Sequence, residues 1–193
     1  MCQLLFSVDT GAPVTVLDKS LEPKLGERLK TRHAIFDYYG KQNHKLGGYR
    51  APKLYLGGAP LIFNSGQDGD LIWTDDLSKV GSGRPRMGIL GMDCLHRYCL
   101  QLDFQSNKLR LLDPSVENTE DWGSAVPLVL PFFPLLHGTL LGKTNEFSHI
   151  DTGDPRDGAM TRNLFRQSLK ERHMADTNTF EARGGGSPYT SSP

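Results

Sequence analysis

The sequence has little cysteine and no long apolar run. Its charge also leans to neither sign. Three cysteines in 193 residues, Cys2, Cys94 and Cys99, are too few and of the wrong parity for a disulfide framework. The longest apolar stretch, Val126 to Leu136, is interrupted by Pro127, Pro131 and Pro134. Nothing approaches the roughly 20 apolar residues of a membrane-spanning helix, so no membrane segment is expected. Lys+Arg and Asp+Glu balance at 22 each, and no basic run is interleaved with aromatics, which argues against a nucleic-acid partner. Met1 runs almost directly into an apolar segment, with no charged leader and no cleavage site. Several catalytic signatures are missing as well: His-Glu-x-x-His, Gly-x-Ser-x-Gly, the P-loop and the dinucleotide fingerprint. Cys94-x-His96-x-x-Cys99 lacks zinc-ligand spacing and an evident fourth ligand, so neither a metal nor an organic cofactor is expected.

What is abundant is glycine, 21 residues, and proline, 12 residues, a turn-rich composition that favours a mainly β fold. Leu4 to Val8 reads as a buried strand that ends at Asp9-Thr10-Gly11, and Val14 to Leu17 reads as the next strand. Asp18 or Ser20 can start a short helix. Ala34 to Tyr39 and Gly48 to Tyr55 flank a polar stretch, Gly40 to Gly47, as a hairpin with a mobile tip would. Lys53 to Leu56 runs into a Gly57-Gly58 turn, and Leu71 to Trp73 is another strand signal. Gly88 to Leu95 reads as an apolar strand, a glycine and a short helix. Leu100, Leu102 and Phe104, then Leu109 and Leu111, alternate with polar residues around Gln105-Ser106-Asn107, which predicts an antiparallel hairpin.

From Asp113 to Ser124 the chain is polar and aperiodic. Val126 to Leu130, Gly138 to Leu141 and Phe147 to Ile150 are candidate strands, and the last ends at Asp151-Thr152-Gly153. Met160 to Arg172 has helical spacing, and the Gly/Ser/Pro-rich stretch 184–193 reads as disordered. The informative feature is the repeat: an apolar strand, Asp-Thr-Gly and a nearby proline occur at Asp9 and again at Asp151.

Asp-Thr-Gly-Ala after an apolar strand, followed later by Ile89-Leu90-Gly91, a short helix and a hairpin, resembles the aspartic peptidases of the pepsin and retropepsin type. The two-lobed bacterial members are the nearest pattern. The resemblance implies a retropepsin-like acid-protease lobe over 1–113, a linker over 114–125, a partial second lobe over 126–183 and the tail 184–193. It implies that Asp9 and Asp151 are paired catalytic carboxylates. Thr10, Gly11 and Ala12, with Thr152 and Gly153, would form the active-site turns, the threonines bonding across the interface and the glycines allowing close approach. Ile89, Leu90 and Gly91 would thread beside the first turn, and Tyr38, Tyr39 and Gly40 would lie in a substrate-covering flap. Such an enzyme cleaves peptide or protein substrates with a water activated between two carboxylates. The second half carries no second flap signal and no second apolar-apolar-Gly segment, and Met1 leaves little room for the family's first hairpin. Two further expectations stand beside the monomer with pseudo-symmetric lobes. One is a homodimer that uses Asp9 from each chain, and the other is a non-catalytic, degenerate peptide-binding protein of the same fold.

Overall fold

The computed structural model describes residues 3–30, 33–38, 41–63, 65–66, 69–79, 85–112, 126–129, 133–140, 143–154, 160–171, 180–184 and 187–191. The architecture is mainly β. The largest sheet runs in the order Phe6–Val8, Gly88–Leu90, Val16–Asp18, Gly69–Asp75, Lys41–Arg50, His33–Tyr38, with Ser65–Gly66 paired to Gly69–Asp75 off this path. Gly88–Leu90 is thus inserted between the first two strands of the chain. It lies parallel to Phe6–Val8, Val8 opposite Leu90, and antiparallel to Val16–Leu17. A strand with neighbours on both sides and both faces covered must be apolar throughout, and Gly88, Ile89 and Leu90 are all buried.

Two apolar clusters flank this sheet. One gathers Leu17, Leu21, Tyr49, Phe63, Ile72, Leu90, Cys94 and Leu95. The other gathers Ala12, Val16, Leu46, Leu77 and Ile89, with Val14 and Trp73 against it. Neighbouring residues Val16 and Leu17, or Ile89 and Leu90, divide between the clusters, as the alternation of side chains along a strand requires. Asp18 caps the 3-10 helix Lys19–Lys24 by accepting from the Ser20 N–H at 3.0 Å. Gly57 and Gly58 turn Tyr55–Leu56 onto Ala59–Pro60 with φ of 56° and 91°, the left-handed pair that a tight hairpin needs. Cys99–Asp103 and Lys108–Leu112 pair antiparallel as the alternation predicts, Leu100 opposite Leu111 and Leu102 opposite Leu109.

Two expectations are corrected. The polar stretch before Gly47 is strand, not tip: Lys41–Arg50 pairs along His33–Tyr38, and the return strand stops at Arg50 rather than reaching Tyr55. The polar run Lys41 to Lys45 carries no hydrophobic alternation, so the period-2 signal of a strand is missing from it. The stretch 184–193 is not wholly unstructured either, since Ser187–Ser191 pairs with Phe180–Gly184 and with Met160–Thr161. Composition hid the Gly-Gly dipeptide between Phe180–Gly184 and Ser187–Ser191, which is itself a hairpin signal.

In the second half, Leu135–Leu140 pairs antiparallel with both Leu128–Val129 and Lys143–His149. A helix covers Arg162–Glu171. The expected linker, 114–125, lies outside the described residues. Among the described residues no helix is long and apolar enough to cross a membrane.

Candidate functional site

Each Asp-Thr-Gly closes a tight turn on its own aspartate, the local hydrogen bonding that short acidic side chains favour. Asp9 Oδ1 accepts from the N–H of Gly11 at 2.8 Å and of Ala12 at 3.0 Å. Asp151 Oδ1 accepts from the N–H of Gly153 at 2.8 Å and of Asp154 at 3.2 Å. These bonds hold one oxygen of each carboxyl and fix its plane.

The two turns then meet. The Thr10 hydroxyl donates to the Ile150 carbonyl at 2.6 Å and accepts from the Thr152 N–H at 3.1 Å. The Thr152 hydroxyl donates to the Val8 carbonyl at 2.8 Å and accepts from the Thr10 N–H at 3.1 Å. Each hydroxyl serves as donor and acceptor for backbone of the opposite turn, which is why threonine recurs in both copies. A Cβ built on Gly11 would collide with the Asp151 carboxylate, and one built on Gly153 would collide with the Asp9 carboxylate. Glycine in both turns lets each carboxyl cross to the other side.

As a result each carboxyl lies against the glycine of the opposite turn, and the two acids face each other across the junction. Burial raises Asp9 above the ordinary carboxylate value of 3.8, and the Asp151 charge raises it further, against the lowering effect of the Gly11 N–H. The Asp151 charge thus disfavours ionisation of Asp9 in the same direction as burial does.

The strand Gly88–Leu90 and the short helix Met92–Leu95 stand behind the Asp9 turn. The Asp9 N–H donates to the Leu90 carbonyl at 3.0 Å. The Met92 N–H donates to Ala12 at 2.8 Å and the Asp93 N–H to Pro13 at 3.2 Å, so two otherwise orphan helix donors are satisfied by the turn itself. Gly91 is required there: a Cβ would come within 2.5 Å of the Val14 carbonyl. Ile89, Leu90 and Gly91 therefore lie where the sequence expectation puts them, beside Asp9.

Three contributors at this site went unnoticed in the sequence. Thr15, fully buried, accepts from the Gly91 N–H at 3.1 Å and donates to Asp93 Oδ1 at 2.7 Å. Asp93 is itself buried, and that burial raises its pKa. An acid inside the apolar run Gly88–Leu95 was the available signal, because a buried carboxyl demands a partner. His149 lies edge-on to Phe133, ring centres 4.9 Å apart, with Nε2 3.4 Å from the Thr10 carbonyl.

Of the expected flap residues, Tyr38 ends the strand His33–Tyr38, while Tyr39 and Gly40 lie outside the described residues. Cys94 is completely buried, and burial, with the Asp93 charge, pushes its thiol up to about 12. The His96 ring is engaged with the Met92 carbonyl. Compared with known proteins, the chain matches no family model, no curated protein and no solved structure.

Proposed function

We propose that the chain is an aspartic-type endopeptidase of retropepsin-like fold, with a first lobe over 1–113 and a partial second lobe over 126–183. The observation that carries this reading is the reciprocal junction of the two Asp-Thr-Gly turns, which sets carboxyls from segments 142 residues apart each against the glycine of the other turn. A structural turn needs neither the crossed threonines nor a second acid facing its own.

On this reading a water sits between Asp9 and Asp151. The ionised carboxylate takes a proton from the water as its oxygen attacks the scissile carbonyl carbon. The protonated carboxyl meanwhile donates to the carbonyl oxygen. The tetrahedral diol then collapses: the protonated carboxyl gives its proton to the leaving nitrogen, a diol hydroxyl returns its proton to the other carboxylate as the C=O re-forms and the C–N bond breaks, and the dyad again holds one proton. The scheme calls for no metal or organic cofactor. The substrate lies extended, pairing its backbone with the edge of the His33–Arg50 hairpin.

Purified chain incubated with a denatured-protein mixture across pH should release peptides, and a transition-state-mimicking aspartic-protease inhibitor should suppress the release. Cleavage that survives Asp9→Asn would exclude the dyad. The grip lies within one chain, which supports a monomer with pseudo-symmetric lobes over a homodimer of Asp9 turns, and a solution mass of one chain is expected. A second reading, a non-catalytic peptide-binding protein of this fold, draws on the exposure of Asp151 and on the lack of a second apolar-apolar-Gly strand among the described residues. Peptide binding without any release of fragments would favour it.

A further inference from the structure

The hairpin His33–Tyr38/Lys41–Arg50 joins the large sheet only through its last four residues, Gly47–Arg50, which pair with Leu71–Thr74. Among the described residues, Lys41–Leu46 pair with the facing hairpin strand alone. A projecting ribbon pivots at its root, so the groups at the root set its angle. Gly47 faces Thr74 in register, and Tyr49 lies two residues on, its side chain on the same face. Thr74 and Tyr49 are both buried there beside Glu22, whose charge reaches the Tyr49 phenol, and the Thr74 hydroxyl also lies 3.5 Å from the Gly47 carbonyl at the root itself. Thr74 donates to Glu22 at 2.8 Å. Burial, followed by the Glu22 charge, raises the Tyr49 phenol, which keeps it a donor.

The rest of the root is equally close. A Cβ on Gly47 would come within 3.0 Å of the Thr74 hydroxyl and 3.1 Å of Arg28 Nε, and the Leu29 N–H donates to Gly48 at 3.0 Å. One residue outward, Leu46 packs in the cluster that contains Ala12 of the Asp9 turn. The root and the turn that carries Asp9 thus share one apolar cluster.

We propose that Glu22 is a positioning residue: it pins the root of the hairpin by holding the buried Thr74 hydroxyl against Gly47 and lying beside the buried Tyr49, on two adjacent strands, and so sets how the hairpin meets substrate. The substrate part rests on the aspartic-peptidase reading, whereas the pinning does not. Without the carboxylate, the Thr74 hydroxyl keeps only the long contact to the Gly47 carbonyl and the packing beside Tyr49 loses its charged neighbour, so the local opening of the hairpin becomes easier.

Amide hydrogen exchange and steady-state kinetics of the full chain test this. Glu22→Ala should speed exchange over 41–46 about tenfold or more while leaving the Lys108–Leu112 strand unchanged. It should raise KM about tenfold with kcat within about twofold, the signature of lost binding rather than lost chemistry. Glu22→Gln should restore most of both, since the amide oxygen still accepts from the Thr74 hydroxyl. Tyr49→Phe, which keeps the ring packing, should reproduce part of the exchange effect even if Glu22→Ala does not fold. Unchanged exchange over 41–46 in the variants, equal acceleration throughout the chain, or a Gln variant as loose as Ala would overturn the proposal. A wild-type chain that cleaves nothing would remove the peptidase reading and leave the exchange data to decide the role of Glu22.

Discussion

Around Asp9 and around Asp151 the backbone makes the same turn, with the same two N–H groups folded onto one carboxyl oxygen. What surrounds the two turns differs. Behind Asp9 stand the strand Gly88–Leu90, the helix Met92–Leu95 and the buried Thr15–Asp93 pair. Asp151 is exposed, and Ile150 before it is 39% exposed, with the Ile150 N–H donating to Pro134 at 2.9 Å. Turn geometry is therefore a local property of Asp-Thr-Gly, whereas the electrostatic setting of the carboxyl comes from packing. Burial is what separates the two acids, and it acts first on Asp9.

The largest expected effect treats the two as one unit. Asp9→Asn and Asp151→Asn should each lower cleavage by about 100- to 10,000-fold, because either amide removes the shared proton on which the acid–base steps rely. Retention of activity by one of them would break the equivalence. Next, Gly11→Ala and Gly153→Ala should each cost about 100-fold in kcat/KM with little loss of thermal stability. The atom that each new methyl meets is the far end of an aspartate, which can swing away at the expense of the dyad geometry. Gly91→Ala should do the reverse and destabilise the chain by about 1–3 kcal/mol, since its methyl meets backbone at Val14.

The threonines sharpen the contrast between the turns. Thr10→Ala strips a residue that is 8% exposed and should cost about 1–3 kcal/mol in urea unfolding. Thr152→Ala, at the more open turn, should fall at the lower end of that range. Equal losses would mean that the surroundings of the turns do not matter. The smallest effect is on pH dependence. A carboxyl whose folded pKa is raised binds more protons folded than unfolded. Its contribution is fully present below 3.8 and is lost as pH rises through the folded value. Asp9→Asn should therefore be the more stable protein near neutrality, and its advantage should vanish on acidification. Matched denaturation curves at several pH values would reveal it, and an advantage independent of pH would contradict the assigned cause.

Local patterns made much of the first half legible. Alternation marked Leu100 to Leu111, an all-apolar triplet before glycine marked Ile89-Leu90-Gly91, and Asp18 marked a helix start. The hairpin of Lys41–Arg50 was legible only in outline, because its outer part pairs through backbone and needs no apolar face. From the residues alone the site was legible as two separate turns, and their pairing was what the family resemblance implied. Their joining depends on hydroxyls bonding to carbonyls 140 and 144 residues away, which no window of sequence displays. Thr15, Asp93 and Glu22 were missed for the same reason: each is an ordinary polar residue until packing supplies its partner. Composition also misled at 184–193, where strand pairing occurs in a stretch that reads as unstructured.

The crossed threonines also bear on the order in which the molecule assembles. A contact that spans 142 residues closes a loop covering most of the chain, and its entropic cost is met only after the nearer contacts have formed. Contact order thus favours late closure of the Thr10–Thr152 junction. Until it forms, the Asp9 turn holds one carboxyl alone, with no second acid to share a proton. On the proposed reading, a nascent or half-folded chain is inert toward its neighbours and toward itself, and hydrolytic capacity switches on as one of the last consequences of reaching the native state.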